Sequence, residues 1–385
     1  MPPVPVEVLT GEVARPHRQR SAAARVEHLY VHVPFCAHRC GYCDFVTVTG
    51  SEPLHARYVD ALIAELAQRA RLVPAPATIF VGGGTPSLLL PPLLRRLLAA
   101  LPPATEITVE CNPETVSEQT ADALAAGGVT RVSLGAQSFR TQLLGTLERR
   151  TRPAQIRHAV ERLRAAGIAN LNLDLMFGVP GQSSHDLLAD IDDACSLEPD
   201  HISYYELEAK PGTRFTHAHG DELERQAERM EAYYEQVVDG LRTAGYRWYE
   251  TANFCRPGLE SRHNLGYWRG ADYLGAGIGA VSTLGLERRR NRPSLPRYLA
   301  ALEAGAAPPA EVEQLSAAER AVERVMLGLR LDRPLPLGAR ELAVLDTGQV
   351  ERLESAGMLI TEAGTIVLTE RGRFVANDVI ASILL

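Results

Sequence analysis

The sequence has no hydrophobic run near the roughly 18 residues that a membrane-spanning helix needs, so we expect a soluble protein. Six cysteines in 385 residues are too few for a fold built on disulfides. The chain also lacks an excess of positive charge, because its formal net charge is −7. Lysine is nearly absent, and Lys210 is the only lysine among 40 basic residues. A general nucleic-acid binder needs a basic face, so this balance argues against a nucleic-acid partner. Residues 1–25 lack the apolar stretch of a secretory signal, and we expect a disordered tail there.

Short apolar segments alternate with amphipathic helices from residue 28 to about 210, which predicts an α/β fold of repeated βα units. The predicted strands are 28–33, 77–82, 105–110, 129–135, 169–176 and 200–206. Helices are predicted at 53–72, 91–100, 117–126, 153–166 and 184–196. Six units are too few for a closed eight-unit barrel. We therefore expect an open, partial (β/α)6 barrel with functional loops at the carboxyl ends of its strands.

The rest of the chain divides by composition. After a barrel over 26–215, residues 216–284 are expected to extend it, beginning with one long helix at 222–245. Residues 285–315 are rich in Arg, Pro and Ala and are expected to be a linker. Residues 316–385 show helices around a strand pair, which predicts a small C-terminal winged-helix-like domain. This domain carries eight arginines and ten acidic residues, which favours a packing or lid role over DNA recognition.

Cys36, Cys40 and Cys43 form a C-x3-C-x2-C pattern in the loop after the first predicted strand. Thiolates with this spacing can point to one centre, and three thiolates leave one iron of a four-iron cluster without a protein ligand. Zinc is the main alternative, but structural zinc usually takes four protein ligands and pairs two C-x2-C motifs. The sequence has no second pair, so the pattern favours an iron–sulfur cluster.

Glycine and polar residues stand at the ends of the next strands. The segment Gly82–Ser87 (GGGTPS) follows the second strand, and glycines there let the backbone approach a ligand closely. Glu110, Gln137 and Asp174 belong to the third, fourth and fifth strands. A buried polar residue is costly without a partner, and any one of these could be a satisfied group at the barrel mouth. Three at the same mouth favour a shared ligand.

A C-x3-C-x2-C motif after the first strand of a βα barrel resembles the radical SAM superfamily. In that family the open iron of a [4Fe-4S] cluster chelates S-adenosylmethionine. The resemblance implies that the GGGTPS loop, through Gly83, Gly84 and Thr85, holds the methionine amino end.

The same resemblance suggests partners for the remaining polar residues. Glu110, Gln137 and Asp174 would suit the ribose hydroxyls and the methionine carboxylate. Arg149 could meet that carboxylate with a bidentate guanidinium. The resemblance also places Tyr30 over the cluster, beside S-adenosylmethionine.

The order of motifs over roughly 28–284 resembles the branch of this superfamily that contains the oxygen-independent coproporphyrinogen III oxidases, with weaker similarity through 316–385. Those oxidases carry a fourth cysteine in C-x3-C-x2-C-x-C, and Phe45 stands at that position here. The HemW-type heme chaperones carry C-x3-C-x2-C-D-F, which this chain matches. Residues 263–268 (HNLGYW) fit the HNxxYW sequence associated with heme in those chaperones, so His263 is the expected heme ligand. The alternative for His263 is a hydrogen-bonded structural histidine.

The resemblance thus implies a heme chaperone with heme, a [4Fe-4S] cluster and S-adenosylmethionine. Its partner would be a hemoprotein acceptor such as a respiratory membrane enzyme, in the cytoplasm or at the membrane periphery. Two enzymatic alternatives stay open: coproporphyrinogen III oxidation and HemN-like radical methyl transfer. The chain departs from the family in two places. It has Leu147–Thr151 (LERRT) where L-G-R-x-H is frequent, and Lys210 where an acidic residue is common.

Overall fold

The computed structural model describes residues 26–208 and 214–385. The tail expected at 1–25 and the departure at Lys210 lie outside the described residues. The strands are β1 (His28–Val33), β2 (Thr78–Gly83), β3 (Glu106–Cys111), β4 (Arg131–Gln137), β5 (Asn170–Phe177), β6 (His201–Glu206), β7 (Arg247–Trp248), β8 (Asn253–Cys255), β9 (Tyr273–Ala276), β10 (Val281–Leu284), β11 (Glu287–Asn291), β12 (Ala310–Gln314), β13 (Leu335–Pro336), β14 (Leu359–Glu362) and β15 (Thr365–Leu368). The helices are α1 (His55–Arg69), α2 (Pro91–Ala99), α3 (Glu118–Ala126), α4 (Thr141–Thr146), α5 (Pro153–Ala165), α6 (Ser184–Cys195), α7 (Arg214–Gln226), α8 (Met230–Thr243), α9 (Arg262–Trp268), α10 (Leu295–Glu303), α11 (Ala317–Gly328), α12 (Ala339–Leu342), α13 (Thr347–Ser355), α14 (Glu370–Phe374) and α15 (Ala376–Ile383).

Strands β1 to β6 lie side by side in chain order and are all parallel, with helices α1 to α6 between them. This is the predicted partial (β/α)6 barrel, and the predicted α/β fold class is confirmed. The sheet continues on both sides. β9 pairs parallel with β1 and leads to β10, β11 and β12, while β8 and β7 follow β6 antiparallel. The result is a twelve-stranded sheet with β12 at one edge and β7 at the other.

The barrel strands have one apolar and one polar face, because successive side chains of a strand point to opposite sides. In β1, Leu29, Val31 and Val33 are fully buried in the apolar core that the helices cover. In β5 the alternating residues Asn172 and Asp174 line the inner cavity instead. The inside of the barrel is therefore polar, and the hydrophobic core lies between the sheet and its helices.

Serine and proline residues define where several helices begin. The Ser183 hydroxyl accepts a hydrogen bond from the amide of Asp186 at the start of α6, and the Asp186 side chain accepts one from the Ser183 amide. Such reciprocal caps satisfy backbone donors that the first helical turn leaves open. Pro91 and Pro153 stand in the first turns of α2 and α5, where a missing backbone N–H costs nothing.

Two expectations about local structure are wrong. The segment 285–315 is not an irregular linker, since it contains β11, α10 and β12, and β11 pairs with β10 and β12. Three of its five arginines, at positions 288–290, lie on β11 near the sheet edge, where backbone pairing does not require apolar side chains. The single helix expected at 222–245 is interrupted, because a 3-10 turn at Ala227–Arg229 separates α7 from α8. The domain boundaries themselves stay predictions.

The C-terminal part has its own core, as the winged-helix-like prediction requires. β13, β15 and β14 form an antiparallel three-stranded sheet, and α11 to α15 pack on it around residues such as Val325, Ile366 and Ile380. The strand pair β14–β15 was predicted, and β13 was not. Arg247 joins this part to the barrel extension by an ion pair with Asp332 at 2.7 Å. No helix in the described residues is long and apolar enough to cross a bilayer.

Helix α9 closes the base of the barrel. The Nδ1 atom of His263 lies 2.8 Å from the Thr78 hydroxyl, and the His263 amide donates to the Glu106 carboxylate at 3.0 Å. Gly266 packs so closely on His28 that an added Cβ would lie 2.5 Å from that ring. His28, Thr78 and Glu106 each begin a strand. Helix α9 therefore sits at the amino ends of the strands, opposite the loop that carries the cysteines.

Candidate functional site

A cavity of about 580 Å³ opens among the carboxyl ends of the barrel strands. Small-molecule sites commonly have volumes of roughly 300–1,000 Å³. The predicted residues that line it are Cys36, Cys40, Cys43, Gly83, Gly84, Thr85, Glu110, Gln137, Arg149 and Asp174. The fold thus gathers residues from five strands and their loops around one space. Tyr30 and His263 are not among the residues that line this cavity.

The cysteine loop is held at its base by backbone hydrogen bonds. The amide of Cys36 donates to the carbonyl of Val48 at 3.0 Å, and the amide of Val48 donates to the carbonyl of Pro34 at 2.8 Å. All three cysteines are free thiols and partly exposed. Burial raises the pKa of the Cys36 and Cys43 thiols. Within the described residues no three His, Cys, Asp or Glu side chains already surround one metal position. The residues fit an iron–sulfur cluster by the chemistry of their donor atoms, because three free thiols on one loop line the same cavity.

A chain of hydrogen bonds connects two of the cysteines. The Thr85 hydroxyl lies 3.6 Å from Cys36 Sγ and accepts from Asn112 Nδ2 at 3.0 Å. Arg149 Nη2 donates to Asn112 Oδ1 at 2.8 Å, and Arg149 Nη1 lies 3.8 Å from Cys40 Sγ. Sequence reasoning missed Asn112, although it follows the strand that carries Glu110. The rule that selected polar residues at strand ends could have found it.

Arg149 has donor capacity left for a ligand. Its Nη2 also donates to the carbonyl of Gly135 at 3.0 Å. Its Nε is buried and has no hydrogen-bond partner within the described residues. A buried N–H without an acceptor is costly, and a carboxylate is the acceptor that a guanidinium holds best. The structure thus leaves Arg149 suited to an anionic group in the cavity.

Glu110 and Gly83 form the wall beside the GGGTPS loop. The amide of Gly83 donates to Glu110 Oε2 at 2.8 Å. Gly83 has φ +108°, and a Cβ there would lie 2.3 Å from the His32 ring, so only glycine fits. Burial raises the pKa of Glu110 to about 7, with the Gly83 hydrogen bond lowering it and the charge of Asp174 raising it. Glu110 therefore changes charge near neutral pH.

Asp174 and Gln137 complete the mouth. Asp174 accepts hydrogen bonds from the Ser133 hydroxyl at 3.0 Å and from Asn172 Nδ2 at 2.7 Å. Burial raises the pKa of Asp174, and these hydrogen bonds oppose that rise. Gln137 has φ +64°, at the point where the β4–β5 register shifts. Left-handed backbone at a non-glycine residue stores strain, and such strain is concentrated at ligand sites.

Tyr30 lies inside the barrel but away from the cavity surface. Its hydroxyl is 3.0 Å from Nδ1 of His32, and its ring stacks on Phe80 at 6.3 Å between centroids. The resemblance placed Tyr30 over the cluster. The described contacts make it part of the barrel wall between His32 and Phe80, and its place beside the cluster stays a prediction.

His263 is buried at the barrel base, with 1% of its surface exposed. Its ring stacks on Phe80 at 5.2 Å and meets Tyr267 edge-on at 5.0 Å. Burial, assisted by the nearby His28, lowers the pKa of His263 to about 3, so the ring is neutral at physiological pH. Its Nε2 is buried without a hydrogen-bond partner in the described residues. A neutral imidazole with a free nitrogen is chemically an iron ligand, but the contacts of His263 with Thr78 and Phe80 cover the ring in this structure.

Comparisons with known families and structures agree with this geometry. The Radical SAM superfamily matches residues 30–194, and the HemN C-terminal domain matches residues 315–375. Among solved structures, coproporphyrinogen III oxidase (HemN) from Escherichia coli aligns over 93% of this chain and 90% of its own. The TM-score is 0.79 and the sequence identity 23%, so the comparison shows a shared fold.

Curated relatives extend over nearly the whole chain. The protein named heme chaperone HemW from Mycobacterium tuberculosis is 39% identical over 371 residues, which are 92% of this chain and 94% of the relative. Its namesake from Lactococcus lactis is 34% identical over 92% of this chain and 97% of its own. The one from Bacillus subtilis is 32% identical over 92% and 98%. With the cysteine loop, the glycine loop and the C-terminal domain all in place, the chain belongs to the HemW family of the radical SAM superfamily.

Proposed function

We propose that this protein is a heme chaperone that binds heme, a [4Fe-4S] cluster and S-adenosylmethionine and delivers heme to a hemoprotein acceptor. The observation that carries the proposal is the match, at 39% identity over 92% of the chain, to a protein named heme chaperone HemW. The proposed acceptor is a hemoprotein such as a respiratory membrane enzyme. The proposed place of action is the cytoplasm or the membrane periphery.

Cys36, Cys40 and Cys43 would hold the cluster. With S-adenosylmethionine bound, such a cluster supplies one-electron reduction chemistry. The chain's own contribution is to place donors on the sulfur atoms. The Thr85 hydroxyl lies at hydrogen-bond distance from Cys36 Sγ, and Arg149 Nη1 lies at that distance from Cys40 Sγ. Donors to a sulfur stabilise its thiolate form and so favour iron binding.

The cavity residues would orient S-adenosylmethionine. Glu110 can accept from the methionine ammonium group, because a cation nearby favours its ionised form. The unpartnered Nε of Arg149 is available to the methionine carboxylate. Asp174 and Gln137 face the same space and can accept from ribose hydroxyls. In these roles, residues on both sides of the mouth would contact different parts of the same charged ligand.

Heme would use a different part of the molecule. His263 belongs to α9 at the barrel base, whereas the cysteines lie at the opposite end. Phe45 is 63% exposed beside the cysteine loop, at the position where the oxidases carry a fourth cysteine. The proposal therefore separates the heme ligand from the S-adenosylmethionine residues and requires α9 to open for heme to bind.

A heme titration of anaerobically reconstituted protein, followed by Soret absorbance, tests the proposal. His263→Ala should weaken heme binding at least tenfold. His28→Ala is the matched control, because His28 Nδ1 also lies 2.8 Å from the Thr78 hydroxyl but its ring is not the proposed ligand. Equal weakening in both variants would trace the loss to packing and reject His263 as ligand. Absence of saturable heme binding by the unmodified protein would reject the chaperone function itself.

A further inference from the structure

The cavity does not end at the residues that would hold S-adenosylmethionine. It continues toward α9 into a lobe lined by Arg131, Ser133, Asn172, Ser203, Ser261 and Asn264, which we call the deep lobe. Arg131 is the first residue of β4, and Ser261 caps α9. The deep lobe thus spans the inside of the barrel between the mouth and the helix that closes the base. None of the roles assigned above uses Arg131 or Asn264.

Arg131 is a buried cation with neutral partners. Only 3% of its surface is exposed. Its Nη1 donates to Asn170 Oδ1 at 3.0 Å and to the carbonyl of Leu259 at 3.5 Å. A guanidinium does not lose its proton in a protein, so its charge must be balanced where it lies. A buried charge is costly unless it is paired.

The nearby carboxylates accept their hydrogen bonds from other donors, although the charge of Arg131 reaches Asp174 and lowers its pKa. Asp174 accepts from Ser133 and Asn172. Glu106 accepts from the backbone amides that begin α9, at 3.1 and 3.0 Å. Arg131 is therefore left with guanidinium N–H groups that adjoin an open, polar space. This arrangement points to an anion as the missing partner.

The charge and size of the deep lobe select the class of anion. The lobe offers one cation, and Asp174 lies along the same cavity. A singly charged, planar anion would balance Arg131 and match its two-pronged donor edge. A phosphate dianion would need more positive charge than the lobe offers, and Asp174 would repel its two charges more strongly than the single charge of a carboxylate. Asn264, the second residue of HNLGYW, lines the same lobe and adds a carboxamide that can donate to such an anion.

We propose that the deep lobe is a binding subsite for a carboxylate, held by Arg131 with Asn264 as the second donor. The ligand enters from the cysteine mouth, because α9 closes the base. Its carboxylate then lies at the base and the rest of the molecule extends toward the cysteines. The ligand class is a carboxylic acid small enough for a 580 Å³ cavity, or one acid arm of a larger ligand. The subsite does not depend on the proposed heme function.

Propionate is the probe and propionamide its uncharged control, titrated into the full-length protein at pH 7.5 while the unfolding midpoint is measured. A ligand that binds only the folded protein raises that midpoint with a saturable dependence on concentration. Propionate should do so and propionamide should not. Arg131→Gln should weaken propionate binding at least tenfold, and Arg131→Lys should weaken it several-fold while keeping the charge.

Arg247→Gln is the matched control, since it removes a partly buried arginine that pairs with Asp332 outside the cavity and should leave propionate binding unchanged. Loss of propionate binding in Arg149→Gln with retention in Arg131→Gln would place the carboxylate at the mouth and overturn the proposal. Equal stabilisation by inorganic phosphate would overturn the preference for a carboxylate. If Arg131→Gln does not fold, the propionate titration is made on Arg131→Lys and Asn264→Ala. Unchanged propionate affinity in both variants would reject the subsite.

Two sources of the carboxylate can be separated with heme and its dimethyl ester. If a tetrapyrrole propionate is the source, esterification should weaken binding to the unmodified protein and have little further effect in Arg131→Gln. If a free acid is the source, the ratio between heme and its ester should be the same in both proteins. The propionate titration uses no heme, so its failure is distinct from a failure of the chaperone proposal.

Discussion

Replacing Glu110 by glutamine should stabilise the protein at pH 8 and change its stability little at pH 5. Burial raises the pKa of Glu110 to about 7, against an ordinary value of 4.5. A carboxyl group with a raised pKa favours folding in its protonated form. Its favourable contribution is therefore complete below pH 4.5 and is lost as the pH rises through about 7. Glutamine keeps an oxygen that can accept from the Gly83 amide, so the substitution removes only the charge.

The size of the effect follows from the shift in pKa. Moving a pKa from 4.5 to about 7 corresponds to about 3 kcal/mol between the two protonation states. Because Glu110 lines a cavity that solvent can enter, we expect screening to reduce this to about 1–3 kcal/mol. The difference in unfolding free energy between the variant and the unmodified protein should grow by that amount from pH 5 to pH 8.

Urea unfolding of the cluster-free protein, followed by circular dichroism at four pH values, measures this difference. Glu250→Gln is the control. Burial also raises the pKa of Glu250 to about 7, but this residue lies beside β7 and β8 and accepts from the amide of Ala252. The two substitutions should show the same trend and add in the double variant, because the described hydrogen bonds of the two sites have no partner in common. A difference for Glu110→Gln that stays constant across the pH range would refute the reasoning.

Two further predictions concern the mouth. Glu148 has φ +55°, so Glu148→Gly should relieve backbone strain and raise the unfolding free energy by up to about 1 kcal/mol, measured as a higher unfolding midpoint. A lower midpoint would show that the contacts of the Glu148 carboxylate, including His38 at 3.6 Å, stabilise the fold by more than the strain costs. Asp174→Asn should weaken S-adenosylmethionine binding about tenfold or more in calorimetry on reconstituted protein, because charged hydrogen bonds contribute about 1.5–3 kcal/mol; unchanged affinity would remove Asp174 from the ligand set.

The barrel could be predicted from the sequence because its signals are local. Each predicted barrel strand lies within two residues of the observed one, since turn residues bound each apolar segment. The gathering of cysteines, glycines and acids also followed from a general rule. Parallel strands bring their carboxyl ends to one mouth of the barrel, so residues at those ends lie close together, and this does not depend on the sequences of the helices. Asn112 obeys the same rule and was overlooked.

Other features depend on contacts that are distant in the chain. Nothing within 263–268 indicates that this helix returns to the first residues of β1, β2 and β3, so the burial of His263 was not predictable. The pairing of β11 with β10 and β12 is likewise set by the returning chain and not by side-chain hydrophobicity. The presence of Glu148 at a position where the family often has glycine has a structural consequence that the sequence alone does not reveal. The backbone is left-handed at that residue.

The two ends of the twelve-stranded sheet bear on how the protein behaves at high concentration. An exposed sheet edge offers unpaired backbone groups to a second molecule and invites aggregation. Here β7 is only two residues long, while β12 follows Pro308 and Pro309 and exposes Glu311 and Glu313. A short strand, prolines and like charges each discourage edge-to-edge pairing. The segment whose composition suggested a linker thus shields the barrel sheet against self-association.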